Sequence, residues 1–385
     1  MSTKINKHAA EIRNEQEAEP ISIEVTVPPW MQIKQDTLLK NTKEHFRGCL
    51  LGGAIGDAFG WPVEFIKLRE IKERFGETGI QAMVLNEQGI AEITDDTQMT
   101  LFTAEGILRA RSRWAERGGV CHPPSVVYHA YLRWFDTQYG PGTIETDLLN
   151  SWLHKVPELH VMRGPGHTCL SALRSGIMGR IDKPVTNSKG CGGVMRMAPI
   201  GLSDFGKKLK IGCECAAITH GHPSGYIPAG MLAQIISCII EGKSLDTAIF
   251  DAIAKATEYA GYEESISAVI KARQLAQSNI APLTAIGQLG EGWVGEEALA
   301  IAIYCSLKFQ HDFRQAIITA VNHDGDSDST GAITGNILGA YLGVNAIPEE
   351  WLEVLELKGV IIESADDMFK KYEDSCAWHE RYPGY

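Results

Sequence analysis

From about residue 45 onward, apolar residues return every three to four positions, the spacing of one buried face of an α-helix. Such patterns predict helices over residues 45–65, 99–113, 125–135, 169–177, 225–241, 245–260, 264–277, 296–307, 313–322 and 348–363. A further helix should follow residue 328, where Ile333, Ile337, Leu338, Tyr341 and Leu342 fall on one face. Loops rich in Gly and Pro separate these patterns at residues 140–142, 164–166 and 190–193. Within this body only residues 80–85 read as a strand. The first 44 residues differ. Residues 1–19 are polar, lack a core-forming period and are expected to be mobile. Ile21, Ile23, Val25 and Val27 then alternate with polar residues as in a strand, ended by Pro28 and Pro29 and followed by Trp30. A lone strand is not stable by itself, so this segment either packs on its own domain or is an arm for a partner. The expected fold is all-α: one compact, many-helix domain over residues 45–385 with a short N-terminal extension over residues 1–44.

Two helices carry glycine at four-residue spacing, Gly52, Gly56 and Gly60 in one and Gly331, Gly335, Gly339 and Gly343 in the other. Each glycine inside a helix costs about 1 kcal/mol against alanine. Two such faces are expected at the centre of the fold, where they let neighbouring backbones come close.

Candidate chemistry sits at two helix starts. Asp324, Asp326 and Asp328 alternate with small residues, and Ser329 and Thr330 follow as the helical pattern begins. A helix N-terminus favours each acid by only about 0.3–1 kcal/mol, too little to gather three. A solvated acidic turn and a hard-cation site both remain open. A calcium loop does not fit: counting from Asp324, the positions that need Gly and Glu hold Ser329 and Gly335. Thr94, Asp95, Asp96 and Thr97 form the second group. Alone they read as helix caps. Together, two sets of Asp and hydroxyl residues make the oxygen-rich surroundings that two Mg²⁺ or Mn²⁺ ions prefer, with Zn²⁺ disfavoured for want of His or Cys.

The formal net charge is -12, which argues against a general binder of nucleic acid or anionic membrane. Nine scattered cysteines, an odd number without paired spacing, suggest reduced thiols in a cytoplasmic protein. Cys213 and Cys215 form a lone C-x-C, which fits buried thiols better than a zinc site. No signal-peptide core stands at the N-terminus, and no run is expected to reach the roughly 18 apolar residues that a membrane span needs.

Five segments, in order, carry a resemblance: FRGCLLGGAIGDAFGWPVEF (46–65), ITDDTQMT (93–100), NSKGCGGVMRMAPIGL (187–202), ITHGHPSGYIPAG (218–230) and NHDGDSDSTGAITGNILGAYLG (322–343). Singly they are weak; together the chain resembles the ADP-ribosylglycohydrolase family, and the likeness runs from about residue 45 onward. It implies an all-α fold with a two-Mg²⁺ centre that removes ADP-ribose from arginine side chains of proteins. The implied metal ligands are Thr94, Asp95, Asp96, Asp326, Asp328 and Ser329. Asp95, Asp96 and Asp328 are the implied groups that orient or deprotonate the attacking water. Glu64 matches a glutamate at the metal site, although an exposed helix-end acid would read the same. Asp57 reads as structural support. Gly190, Cys191, Gly192 and Gly193 would offer backbone N–H groups to phosphate or ribose oxygens, as against a plain glycine loop. Many relatives have Asn where Cys191 stands. Arg196 would meet either a phosphate or a structural ion-pair partner. His220, in a run like the T-H-x-H-P of arginine-type members, would lie near the ligand or fill a structural role. Relatives of this fold also occur as immunity proteins against ADP-ribosyltransferase toxins, so the N-terminal arm would suit such a partner. The alternatives are a non-catalytic toxin-binding protein and a dinuclear phosphoesterase, the latter weakened by the lack of His ligands.

Overall fold

The computed structural model describes residues 39–140 and 142–384. The expected strand at residues 21–27, Trp30 and the arm they would form lie outside these residues. Among the described residues, seventeen α-helices build the fold. Among the described residues there is no sheet, only three isolated bridges, so the all-α expectation holds.

In chain order, α1 (Lys43–Gly60) leads through a 3₁₀ turn to α2 (Leu68–Phe75), and a long loop reaches α3 (Asp95–Glu116) and α4 (Pro123–Tyr139). Then come α5 (His167–Arg174), α6 (Ala198–Leu202), α7 (Lys208–Ala217), α8 (Pro223–Ile240), α9 (Leu245–Ala256) and α10 (Glu263–Ala276). The chain continues through α11 (Pro282–Leu289), α12 (Gly295–Lys308), α13 (Phe313–Val321) and α14 (Ser327–Leu342), and ends with α15 (Glu349–Val354), α16 (Lys358–Lys370) and α17 (Cys376–Arg381). The expected helices appear, with ends shifted by a few residues, except that over residues 348–363. The short helices α2, α6, α7, α11 and α17 were not foreseen.

The two glycine faces meet. Helices α1 and α14 run antiparallel, and Gly48, Gly52 and Gly56 lie against Gly339, Gly335 and Gly331. A Cβ added to Gly52 would stand 2.4 Å from the Gly335 carbonyl oxygen, closer than van der Waals contact allows. Gly60 closes the row against the backbone of Ser327 and Asp328. The row therefore sets where α14 begins relative to the end of α1, and with it the position of Asp326 and Asp328 beside Glu64. Gly343 does not extend the face; it ends α14 with φ +83°, a left-handed conformation natural for Gly.

Three expectations need correction. Residues 80–85 form no strand. The Ile80 N–H donates to Asn322 Oδ1 at 2.8 Å and its carbonyl accepts from Asn322 Nδ2 at 2.9 Å, so one side chain supplies the pairing a neighbouring strand would give. Residues 348–363 are not one helix. They break between α15 and α16, where Leu355 bridges to Ala91 and Leu357 adopts φ +55°. Finally, α8 has 18 residues without a charge and is long and apolar enough to cross a membrane. It is 94% buried inside the protein, surrounded by α7, α9, α12 and α14, and so forms a core helix.

Candidate metal centre

The site lies where α3 and α14 both begin. Thr94 caps α3: its backbone is extended, and its Oγ1 accepts from the Asp96 N–H at 3.3 Å. Asp326 caps α14 in the same way, Oδ1 accepting from the Ser329 N–H at 3.3 Å. Both helix starts thus point partial positive charge at one region. They touch there: Thr94 Oγ1 is 3.4 Å from Asp328 Oδ2. Glu64, at the end of the 3₁₀ turn after α1, completes a group with Asp326 and Asp328 in which one oxygen of each carboxylate lies within 4.8 Å of the others. At 7% exposure, Glu64 is not a solvent-facing helix-end acid.

Asp57 holds one side of this arrangement from below. Its carboxylate accepts from the backbone N–H of Thr94 and Thr97 and from both hydroxyls, with Thr94 Oγ1 at 2.8 Å and Thr97 Oγ1 at 2.5 Å. A fully bonded acid under a helix start fixes that start in place. Asp95 is oriented by the loop after Arg163: its N–H donates to the Arg163 carbonyl, and its Oδ2 accepts from the Gly166 N–H at 3.2 Å. Gly164, at φ +62°, faces Asp95 and Glu64. From the sequence Thr97 read only as a hydroxyl flanking the acids and residues 164–166 only as a loop between helices, although a Gly-Pro-Gly run is a signal of close backbone approach.

Six carboxylates, those of Asp57, Glu64, Asp95, Asp96, Asp326 and Asp328, are buried here. Among the described residues none of them has an ion-pair partner within 4.0 Å; every such pair lies elsewhere. Burial first, and then mutual repulsion, raises their pKa values. Glu64 is pushed up to about 11 by desolvation and by Asp328, Asp326 and Asp95. Asp57 reaches about 7 through burial and Asp328, held back by its bonds from Thr97 and Thr94. Asp95, Asp96 and Asp328 lie well above the carboxylate range for the same reasons, with Arg196 partly offsetting the rise at Asp95. Glu64 Oε2 and Asp96 Oδ2 are buried with no hydrogen-bond partner. Orphaned carboxylate oxygens in so crowded an acidic site fit a divalent cation, the one kind of group that would neutralise and ligate them together.

Not every expected residue joins this group. Asp324 turns away: its Oδ1 accepts from the Leu68 N–H at the start of α2. The Ser329 hydroxyl lies 3.6 Å from Cys191 Sγ and 3.9 Å from Met195 Sδ. Cys191 does reach the acids, its thiol donating to Asp326 Oδ2 at 2.6 Å. Burial and the charges of Asp326 and Asp96 hold that thiol far above its ordinary pKa, in keeping with its donating to Asp326. In the glycine loop, the Gly190 N–H donates to Ser188 Oγ and the Cys191 N–H to the Trp293 carbonyl, so these two are already engaged within the protein. His220 is 2% exposed, and its ring lies against Gly190 and Gly192. Burial and Arg196 push its pKa down to about 3, which leaves a neutral ring supporting the loop. Arg196 is fully buried and has no carboxylate partner among the described residues. It donates to Thr219 Oγ1 at 2.6 Å and Cys169 Sγ at 3.2 Å and stacks on Tyr131. Neither a phosphate contact nor an ion pair was the right expectation for its surroundings.

The family model described as ADP-ribosylglycohydrolase matches residues 38–377. The chain belongs to the ADP-ribosylglycohydrolase family. Its similarity to individual members is low and spans nearly their whole length. It is 27% identical over 321 residues to the ADP-ribosyl-[dinitrogen reductase] glycohydrolase of Rhodospirillum rubrum, covering 81% of this chain and 90% of that protein. It is 24% identical over 370 residues to human ADP-ribosylhydrolase ARH3, covering 85% and 94%. To the ADP-ribosylarginine hydrolase Tri1 of Pseudomonas putida it is 23% identical over 368 residues, covering 94% and 86%. A solved structure described as an ADP-ribosylglycohydrolase-related protein complex shares the fold, with a TM-score of 0.55 at 24% identity over 86% of this chain and 99% of that one. As a member of this family, the chain is an ADP-ribose glycohydrolase acting on ADP-ribosylated protein.

Proposed function

We propose that this glycohydrolase releases ADP-ribose from modified arginine side chains and works with two bound divalent cations, Mg²⁺ or Mn²⁺. The observation that carries the metal reading is the set of six buried carboxylates without an ion-pair partner among the described residues, two of them with an orphaned oxygen. Thr94, Asp95, Asp96, Asp326, Asp328 and Ser329 would hold the ions, with Glu64 alongside. Bound there, such ions supply positive charge that draws in sugar hydroxyls and acidifies a water. The residues do the rest. Asp95, Asp96 and Asp328 would orient that water and take its proton. The same acids stabilise the positive charge that grows on the ribose ring as the N-glycosidic bond breaks. Gly192 and Gly193, which lie against His220, would offer backbone N–H groups to the ligand.

The arginine acceptor rests on the extent of likeness to the ADP-ribosylarginine hydrolase: 94% coverage of this chain, against 81% and 85% for the other two relatives. Such coverage takes in part of the first 44 residues, which the family model, starting at residue 38, largely leaves out. That same extension favours a second, compatible reading in which residues 1–44 bind an ADP-ribosyltransferase toxin and the protein serves in immunity, within the reducing cytoplasm that nine free thiols suit. The deciding experiment is incubation with arginine-ADP-ribosylated protein, with and without chelator. Release of ADP-ribose that stops on chelation is expected. Release unaffected by chelator overturns the metal reading, and release from serine-linked substrate alone overturns the arginine reading. Deleting residues 1–40 should abolish toxin binding and leave hydrolysis intact; unchanged binding removes the immunity reading.

A further inference from the structure

Two aromatic rings stand open at the rim of the acidic site. Phe65 follows Glu64 directly and is 69% exposed; Trp293 is 37% exposed. Their rings stack, with centroids 5.8 Å apart and planes 20° from parallel. Large aromatics are usually buried, and nothing in the metal chemistry requires this pair.

The pair is fixed to the site by main-chain bonds. Trp293 lies in the turn between α11 and α12, after Gly290 and Gly292, whose φ values of +127° and +84° allow the tight path. The Trp293 carbonyl accepts from the Cys191 N–H, and the Glu291 carbonyl accepts from the Asp326 N–H at 2.8 Å. The Trp293 indole donates to Glu291 Oε2 at 3.1 Å, and Lys67 pairs with Glu291 Oε1 at 2.8 Å. Main-chain bonds thus hold Trp293 and Glu291 beside Asp326, and Phe65 adjoins Glu64 in the chain, so the rings stand beside the acids where the bond to the acceptor would be cut; the Glu291 carboxylate lies with the rings, between the Trp293 indole and Lys67. If the glycosidic bond is cut at these acids, as proposed above, the adenosine end of ADP-ribose is two phosphates away along the ligand, and the acceptor side is the part that would meet the rings.

We propose that Phe65, Trp293 and Glu291 form the acceptor subsite, the guanidinium stacking on the rings and donating to Glu291. A planar cation can stack on an aromatic face while donating to a carboxylate; a serine linked through its side-chain oxygen brings neither a charge nor a side-chain donor to such a subsite. This assignment rests on the arginine reading above and gives it a structural basis.

The test is the steady-state kinetics of Trp293→Leu on arginine-ADP-ribosylated protein, with inhibition by free ADP-ribose measured alongside. The expected result is a KM raised roughly three- to thirtyfold, with kcat and the ADP-ribose inhibition constant unchanged. Trp293→Phe, which keeps a ring face, should recover most of the loss, and Glu291→Gln should raise KM in the same direction. An unchanged KM in Trp293→Leu overturns the subsite, as does a parallel shift in the ADP-ribose inhibition constant, which would put the rings at the adenosine end. Either outcome leaves the arginine reading standing if the wild-type protein cleaves the linkage. A wild-type protein that cleaves only serine-linked ADP-ribose removes both.

Discussion

Gly56 and Gly331 meet backbone to backbone: a Cβ on Gly56 would stand 2.0 Å from the Gly331 carbonyl oxygen, and one on Gly331 would stand 2.4 Å from that of Gly56. No side chain can yield to relieve such a clash. Gly56→Ala or Gly331→Ala must push α1 and α14 apart, at a cost of about 3 kcal/mol. The thermal midpoint should fall, and Mg²⁺ binding should weaken as well, because the same contact positions Glu64 against Asp326 and Asp328. Gly359→Ala is the control. A Cβ there meets nothing within 4 Å, and the midpoint should hold or rise slightly. Calorimetry of the three variants, with and without Mg²⁺, checks this.

Asp328 sits at the crossing of the two acidic groups, its charge raising the pKa values of Asp57, Glu64, Asp95 and Asp96. Asp328→Asn removes that repulsion along with a proposed ligand. The expected result is opposed effects: a higher melting temperature in chelator, and loss of Mg²⁺ binding with activity down at least about a hundredfold. Titration calorimetry and melting curves on one preparation read both. A metal-free variant less stable than wild type would mean the acids are not in conflict.

Stability of the metal-free protein should depend on pH in an unusual direction. The folded pKa values of Asp57, about 7, and Glu64, about 11, exceed the roughly 4 of an unfolded carboxyl. Between these limits the folded state holds more protons than the unfolded one, so stability falls as pH rises. In chelator the melting temperature should drop from pH 6 to pH 8. Saturating Mg²⁺ should flatten the slope, because cations replace the protons, and its apparent affinity should weaken on acidification. A melting series at three pH values decides it.

Cys191 should be inert despite its place at the site. Only a thiolate alkylates readily, and burial with Asp326 and Asp96 nearby holds this thiol protonated. Iodoacetamide at neutral pH should label the exposed Cys376 first and reach Cys191 only on unfolding. Peptide mass spectrometry over a time course reads the order.

Much of this was legible in the residues. The 3.6-residue period gave the long helices because each has one apolar face, and four-residue glycine spacing announced a contact that only backbone can make. Acids at two helix starts pointed to one site because too little else would hold them. What stayed hidden depended on partners distant in sequence. Residues 80–85 read as a strand, yet the backbone groups of Ile80 bond to the side chain of Asn322, 242 residues away. Arg196 suggested a counter-charge and found sulfur, a hydroxyl and a ring. The exposure of Phe65 and Trp293 could not be read at all, since a sequence pattern does not tell a rim aromatic from a core one.

The uncharged helix α8 bears on how this chain must be made. Its coat includes α12 and α14, which lie downstream. A ribosome that has released the chain only as far as α8 would present eighteen apolar-rich residues whose cover from α9, α12 and α14 is still to be synthesised. Shortening the chain from its C-terminal side before Gly295 should therefore yield aggregates and not a smaller folded protein.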